Sequence, residues 1–113
     1  IIIINKTYNP YPYMKKSHLL ILTSIYEGFP NVLVESLTIG TPVISTNANA
    51  GASEILLNGK GGELIKIGDY KNLSKKIINH FNSPKKLIKK TKIAKNNLFR
   101  FETKRHSKIY KFI

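Results

Sequence analysis

The sequence contains no cysteine, which excludes disulfide bonds and thiolate metal sites and fits a cytoplasmic protein. Its three histidines are scattered along the chain and form no cluster of metal ligands. No apolar run approaches the roughly 20 residues of a membrane-spanning helix, and Ile1–Ile4 is far too short for the apolar region of a signal peptide. We therefore expect no metal site and no segment that crosses a membrane.

Acidic residues are few: six Asp and Glu stand against 19 Lys and Arg, for a net charge of +13. Residues 1–59 hold three lysines and three glutamates, so residues 60–113 carry the whole excess. Such a basic region can meet nucleic acid or an anionic membrane, but a Lys-rich composition also places lysine at any exposed position. We favour a solvated face, keep a peripheral contact with the inner face of a membrane as an alternative, and rank nucleic acid last. Phe99 and Phe101 around Arg100 are the one hint of base stacking.

The stretch from His18 to Thr46 reads as strand, turn, helix, turn and strand. His18–Thr23 is too apolar for a strand with one wet face and is typical of a buried parallel strand. Gly28 and Pro30 break it, and an almost wholly apolar helix follows over Asn31–Ile39, which Gly40 ends. The next strand is Pro42–Thr46. This is a small βαβ unit, and such units bind ligands at the strand-to-helix turn.

Two carboxylates stand out in this unit. Glu27 lies in the turn, and Glu35 lies in the second turn of the helix. The helix N-terminus between them offers free N–H groups and a partial positive charge, which suit a phosphate. Glu35 is the only ionisable group on an apolar helix, and a ribose diol could donate two hydrogen bonds to it. Spacing alone leaves open that Glu35 points to solvent and that Glu27 merely favours the helix dipole.

The two glutamates form a Glu-x7-Glu pair within YEGFPNVLVES at residues 26–36, which GTPVIST follows at residues 40–46. This stretch resembles the C-terminal, donor-binding half of retaining glycosyltransferases of the GT-B fold, in their large family 4 (glycosyl transferases group 1). The resemblance extends from Tyr11 to about Leu73, and more loosely to the C-terminus. It implies an α/β fold with a partial doubly wound, Rossmann-like parallel sheet, as in the C-terminal half of a GT-B enzyme.

The resemblance also implies a function: retaining transfer of a hexosyl-type sugar from a nucleotide-sugar donor, in the synthesis of polysaccharide, lipopolysaccharide or glycolipid. Glu35 would bind the ribose hydroxyls, and Glu27, the candidate catalytic residue, would lie beside the donor sugar. The remaining candidate donor-binding residues would face the diphosphate: Gly28, Phe29, Pro30, Asn31 and Val32. Enzymes of this kind are thought to need neither a protein nucleophile nor a cofactor.

We expect a single partial domain over residues 1–113, with a βαβ nucleotide-sugar-binding core at 1–68 and basic C-terminal helices at 69–113. The two-domain enzyme that it resembles needs roughly three times this length. The N-terminal, acceptor-binding domain and a cationic loop for the diphosphate would then be missing. We therefore expect the chain alone to be inactive, as a fragment, one part of a split enzyme or a decayed remnant.

The remaining elements follow from apolar patterning. Ile1–Ile4 reads as a further buried strand, giving about four, and Glu63–Ile67 reads as the last one. Asp69 should cap one amphipathic helix, and Ser83 should cap another with Pro84 in its first turn. Their predicted buried stripes are Leu73, Ile77 and Phe81 in the first helix, and Leu87, Ile88, Ala94 and Leu98 in the second.

Overall fold

The structure is a computed structural model that describes residues 1–26, 28–48 and 50–101. Its strands are Leu20–Leu22 (β1), Val43–Thr46 (β2) and Glu63–Ile65 (β3). Its α-helices are Tyr11–Lys16 (α1), Asn31–Ile39 (α2), Ala50–Ile55 (α3), Tyr70–Asn82 (α4) and Lys85–Asn96 (α5), with short 3₁₀ turns at Leu57–Gly59 and Leu98–Phe101. The strands form one parallel sheet in the order β1-β2-β3. The predicted α/β class with a parallel sheet is confirmed.

The central βαβ unit forms as predicted, and α2 spans the expected Asn31–Ile39. Gly40 ends it in the left-handed region, at φ 97° and ψ 14°, and its N–H donates to the carbonyls of Ser36 and Leu37. Such a conformation is open to glycine at little cost. The Thr41 hydroxyl then donates to the Met14 carbonyl at 2.7 Å, which ties the end of α2 to α1.

Both faces of the sheet are covered, because successive residues of β2 point to opposite sides. Val43 joins one apolar cluster with Leu33 and Leu37 of α2, and both of those leucines are fully buried. Ile44 joins a second cluster, on which Leu73 and Ile77 of α4 pack. The helix α2 therefore lies on one face and α4 on the other, as in a doubly wound fold.

The helix α5 covers the outer edge of β3. Leu87, near its start, belongs to the cluster under α4, whereas Ala94, near its end, belongs to the cluster under α2. A Cβ placed on Gly61 would lie 2.6 Å from the Ala94 Cβ, so the two backbones approach closely just before β3. This contact fixes α5 beside the residues that lead into β3.

The predicted strand at Ile1–Ile4 is wrong. These residues have no strand assignment, and all four side chains are exposed. A β-strand exists only with a hydrogen-bonded neighbour, and no described segment pairs with them. The described sheet therefore has three strands rather than about four.

The two amphipathic helices form, but their buried stripes differ from the prediction. Phe81 is 58% exposed, and His80 is buried instead, where its Nε2 donates to the His18 carbonyl at 3.3 Å. Ile88 is 42% exposed, although Leu87 and Ala94 are buried as predicted. The other predicted members keep their places, since Leu73 and Ile77 pack on the second cluster and Leu98 is buried.

The predicted cap of α4 is confirmed, since the Asp69 carboxylate accepts a hydrogen bond from the Asn72 N–H at 3.1 Å. The predicted cap of α5 is wrong. Pro84 takes the N-cap position there, and no side chain caps the helix.

Candidate functional site

The candidate site lies where the chain leaves β1 and enters α2, at the carboxyl edge of the parallel sheet. Pro30 is buried at the N-cap position of α2, and no side chain caps this helix. The Asn31 N–H donates to the Phe29 carbonyl at 2.9 Å, and proline has no N–H to offer. The Val32 N–H has no hydrogen-bond acceptor among the described residues. Val32 is therefore a helix-start amide that a ligand could bind.

Glu35 is the most deeply buried carboxylate of the described chain, at 8% exposure. It lies in the middle of α2, which contacts α1, α3, α5 and β2. This burial rules out the alternative that Glu35 simply points to solvent. A carboxylate in such a position requires polar partners.

The direction of Glu35 follows from helix geometry. Cα–Cβ bonds tilt toward the N-terminus of a helix, and residues three and four apart share a face. Glu35 follows Asn31 by four residues and Val32 by three, so it lies on the same side of α2 as they do, and its Cα–Cβ bond tilts toward the start of the helix. A buried carboxylate therefore lies one turn after an open amide on the same helix.

The other polar side chains of α2 bond to nearby backbone. The Ser36 hydroxyl donates to the Thr41 carbonyl at 2.9 Å, and the Thr38 hydroxyl donates to the Val34 carbonyl at 2.7 Å. These bonds satisfy buried hydroxyls within the helix and its exit turn. Ser36 and Thr38 therefore have structural roles.

Contacts between loops fix the turn that carries the site. The Thr46 hydroxyl, at the end of β2, donates to the Ser24 carbonyl at 2.7 Å and so holds the loop after β1. On the other side, the Phe29 ring lies 5.4 Å from the ring of Phe101. Neither contact was predicted, because each joins residues far apart in the sequence.

The predicted catalytic residue Glu27 lies outside the described residues, so its position beside a donor sugar stays a prediction. The described members of the predicted set, Gly28 to Val32 and Glu35, do lie together around the start of α2. The described part of the chain holds no group of three or more potential metal ligands.

A cavity of about 380 Å³ opens at the same edge of the sheet, between the strand ends and the start of α4. It is mainly apolar, with Ile25, Ile67 and Tyr70 at its rim and Ile65 in its wall. Ile65 belongs to the cluster on the α4 face of the sheet. The cavity is therefore on the opposite face from Glu35 and is not part of the α2 site.

Glu63 forms an ion-pair cluster that sequence analysis missed. Its carboxylate accepts from Lys76 Nζ of α4 at 2.7 Å and from Lys90 Nζ of α5 at 2.9 Å. Burial acts to raise the pKa of Glu63, but the hydrogen bonds and the positive charges of the two lysines together outweigh it and hold the pKa below its ordinary value. The cluster ties β3 to both C-terminal helices. No local sequence signal reveals partners so far along the chain.

Comparison with known proteins places these features in a family. The sequence model described as Glycosyl transferases group 1 matches residues 1–98. A capsular polysaccharide biosynthesis glycosyltransferase of Staphylococcus aureus, CapM, is 30% identical over 77 residues, which are 68% of this chain and 20% of that protein.

Among the described residues, no helix is both long enough and apolar enough to span a membrane.

Two further relatives match a shorter part of the chain. One is the N-acetylgalactosamine-N,N'-diacetylbacillosaminyl-diphospho-undecaprenol 4-alpha-N-acetylgalactosaminyltransferase of Campylobacter jejuni, 39% identical over 59 residues, or 52% of this chain and 16% of that protein. The other is the Vi polysaccharide biosynthesis protein VipC/TviE of Salmonella typhi, which is 41% identical over 61 residues. These are 54% of this chain and 10% of that protein. The chain spans a tenth to a fifth of the length of such relatives. Because the family's sequence model covers most of its residues, the chain belongs to the glycosyl transferases group 1 family.

Proposed function

We propose that this chain supplies the donor-binding half of a retaining glycosyltransferase that uses a nucleotide-diphosphate sugar. The observation that carries the proposal is the pairing of a buried carboxylate, Glu35, with the open Val32 amide at the start of α2. Their α-carbons are about 4.5 Å apart along the helix axis. A ribose and its adjoining phosphate can bridge such a separation, with the hydroxyls toward Glu35 and the phosphate toward the amide.

The helix start would act on the leaving group. As the sugar–phosphate bond breaks, negative charge builds on the departing diphosphate. The Val32 N–H and the dipole of α2 would stabilise that charge by a few kcal/mol, because they are fixed before the reaction. Glu27 would lie beside the donor sugar, and Phe29 and Pro30 would hold the turn in place.

The relatives suggest the class of product. Two carry names that concern polysaccharide synthesis, and the name of another includes diphospho-undecaprenol. We therefore propose a role in the assembly of polysaccharide, lipopolysaccharide or glycolipid, on the cytoplasmic side of a membrane.

The test is calorimetry with UDP and GDP, each compared with its 2′,3′-dideoxy analogue. The Glu35→Gln variant keeps the size of the side chain and removes its charge. Hydrogen bonds to charged groups contribute about 1.5–3 kcal/mol, so loss of the diol should weaken binding by the wild type tenfold or more. The same loss should be much smaller in Glu35→Gln. Equal losses in the two proteins would show that Glu35 does not bind the ribose.

We further propose that these 113 residues alone do not transfer sugar. Positioning of an acceptor and exclusion of water lower the activation free energy by several kcal/mol. Both need a second domain that closes over the donor site. The assay measures donor hydrolysis and sugar transfer by the purified chain, alone and mixed with a separately produced acceptor-binding domain. Robust transfer by the chain alone would refute this proposal. Transfer only in the mixture would identify a split enzyme, whereas no transfer in either assay would favour a decayed remnant.

A further inference from the structure

The C-terminal helices carry positive charge without any acidic residue. Residues 70–101 contain ten Lys or Arg and no Asp or Glu. Lys76 and Lys90 are paired with Glu63 of β3. The exposed lysines of α5 form no ion pair with any residue that the structure describes.

Five lysines of α5 are exposed, and three of them form a row opposite the buried side of the helix. Leu87, Thr91 and Ala94 are buried at a helical spacing of four and three residues. Lys85, Lys89 and Lys92 repeat the same spacing on the opposite, exposed side. We call these three lysines, with the adjacent Ile88 and Ile93, the basic face of α5.

This arrangement opposes the local stability of the helix. Like charges four residues apart repel each other. Lysines in the first turn also face the positive end of the helix dipole, and neither an acidic residue nor a side-chain cap offsets them there. An external anionic surface would relieve both effects.

The composition of the basic face distinguishes between anionic partners. Ile88 and Ile93 are 42% and 41% exposed, and one of them borders the lysine row on each side. The helix α5 has no arginine and no aromatic residue, the groups that read base edges and stack on bases. Flexible lysines bordered by aliphatic side chains suit a plane of charged headgroups above hydrocarbon.

We propose that the basic face of α5 docks on an anionic lipid bilayer. The lysines contact the headgroups, and Ile88 and Ile93 contact the headgroup boundary on the two sides of the lysine row. This inference goes beyond the proposed function and does not depend on Glu35 or on the donor.

The test is co-sedimentation of the full chain with vesicles of phosphatidylcholine, with and without phosphatidylglycerol. Binding should require phosphatidylglycerol and should fall as salt rises. Each lysine near such a surface raises the binding constant about fivefold. The variant Lys85→Gln/Lys89→Gln/Lys92→Gln should therefore bind the vesicles on the order of a hundredfold more weakly.

The matched control is Lys6→Gln/Lys15→Gln/Lys16→Gln, which has the same net charge and removes three exposed lysines of the other half. It should bind nearly as the wild type does, and circular dichroism should show both variants folded. Equal losses of vesicle binding in the two variants would overturn the proposal. So would equal binding of the wild type to vesicles with and without phosphatidylglycerol. Tighter binding to single-stranded RNA than to vesicles would overturn it in favour of nucleic acid. A second variant, Ile88→Ser/Ile93→Ser, should weaken vesicle binding severalfold and leave RNA binding unchanged.

Discussion

The two halves of the chain use charge in opposite ways. Residues 1–59 balance three lysines with three glutamates, and one of those glutamates, Glu35, is buried in the most enclosed helix of the fold. Beyond Glu63 and Asp69, the described C-terminal part has basic residues alone, and most of its lysines face outward. A buried charge is costly unless it is paired, whereas many exposed charges are solvated and act together over a surface. The first half therefore holds one charge at a defined interior position, and the second spreads its charge over the surface.

The largest expected difference between the halves is in packing. Leu37 in α2 is fully buried, whereas Ile88 in α5 is 42% exposed. Leu37→Ala should lower the free energy of unfolding by about 2–5 kcal/mol, because it leaves a cavity in the main cluster. Ile88→Ala should lower it by about 0.5 kcal/mol or less. Urea denaturation measures both values, and similar losses would mean that the two helices are packed alike.

The next prediction concerns a contact within the second half, between α5 and the residues that lead into β3. A Cβ on Gly61 would meet the Ala94 Cβ at 2.6 Å, so Gly61→Ala must push α5 away from the sheet. We expect a loss of about 1–3 kcal/mol in the free energy of unfolding. Gly28→Ala is the control, since a Cβ there meets no atom within 4 Å. A neutral Gly61→Ala would show that α5 is not fixed at this edge.

A smaller effect should follow from the Glu63 cluster. The pKa of Glu63 is lower in the folded protein than its ordinary value of 4.5. Its stabilising contribution is therefore fully present above that value and is lost as pH falls through the folded pKa. Glu63→Gln should lower the free energy of unfolding at neutral pH by about 1 kcal/mol, since the pair is partly solvated.

The pH profile gives the control for this prediction. Below pH 4.5 the difference between wild type and Glu63→Gln should shrink, because protonated Glu63 no longer accepts from the lysines. Glu54→Gln changes an exposed carboxylate. It should not alter how the free energy of unfolding depends on pH. A difference that stays constant from neutral to acid pH would contradict the ion-pair account.

Sequence patterns predicted the local elements well and the long-range contacts poorly. The bounds of α2 and its Gly40 end followed from apolar runs and turn residues, which act over a few positions. The Asp69 cap followed in the same way. By contrast, the Glu63 pairs and the Phe29–Phe101 contact join residues that only the complete fold brings together.

The errors have the same origin. Ile1–Ile4 has the composition of a strand, but a strand depends on a neighbour that composition does not specify. In α4, the hydrogen bond from His80 to the His18 carbonyl selects which side of the helix is buried, and Phe81 is exposed as a result. For the candidate site, the motif indicated the start of α2, whereas only the structure distinguishes the engaged Asn31 amide from the open Val32 amide.

The central claim is that the neutral half, not the basic half, binds the nucleotide. It is tested most directly by following the backbone amide signals of the ¹⁵N-labelled chain in NMR spectra during titration with UDP or GDP. The account predicts saturable shifts at Val32 and its neighbours at the start of α2, which Glu35→Gln weakens, with little change along α5. Shifts confined to the lysine-rich residues of α5, unaffected by Glu35→Gln, would contradict it.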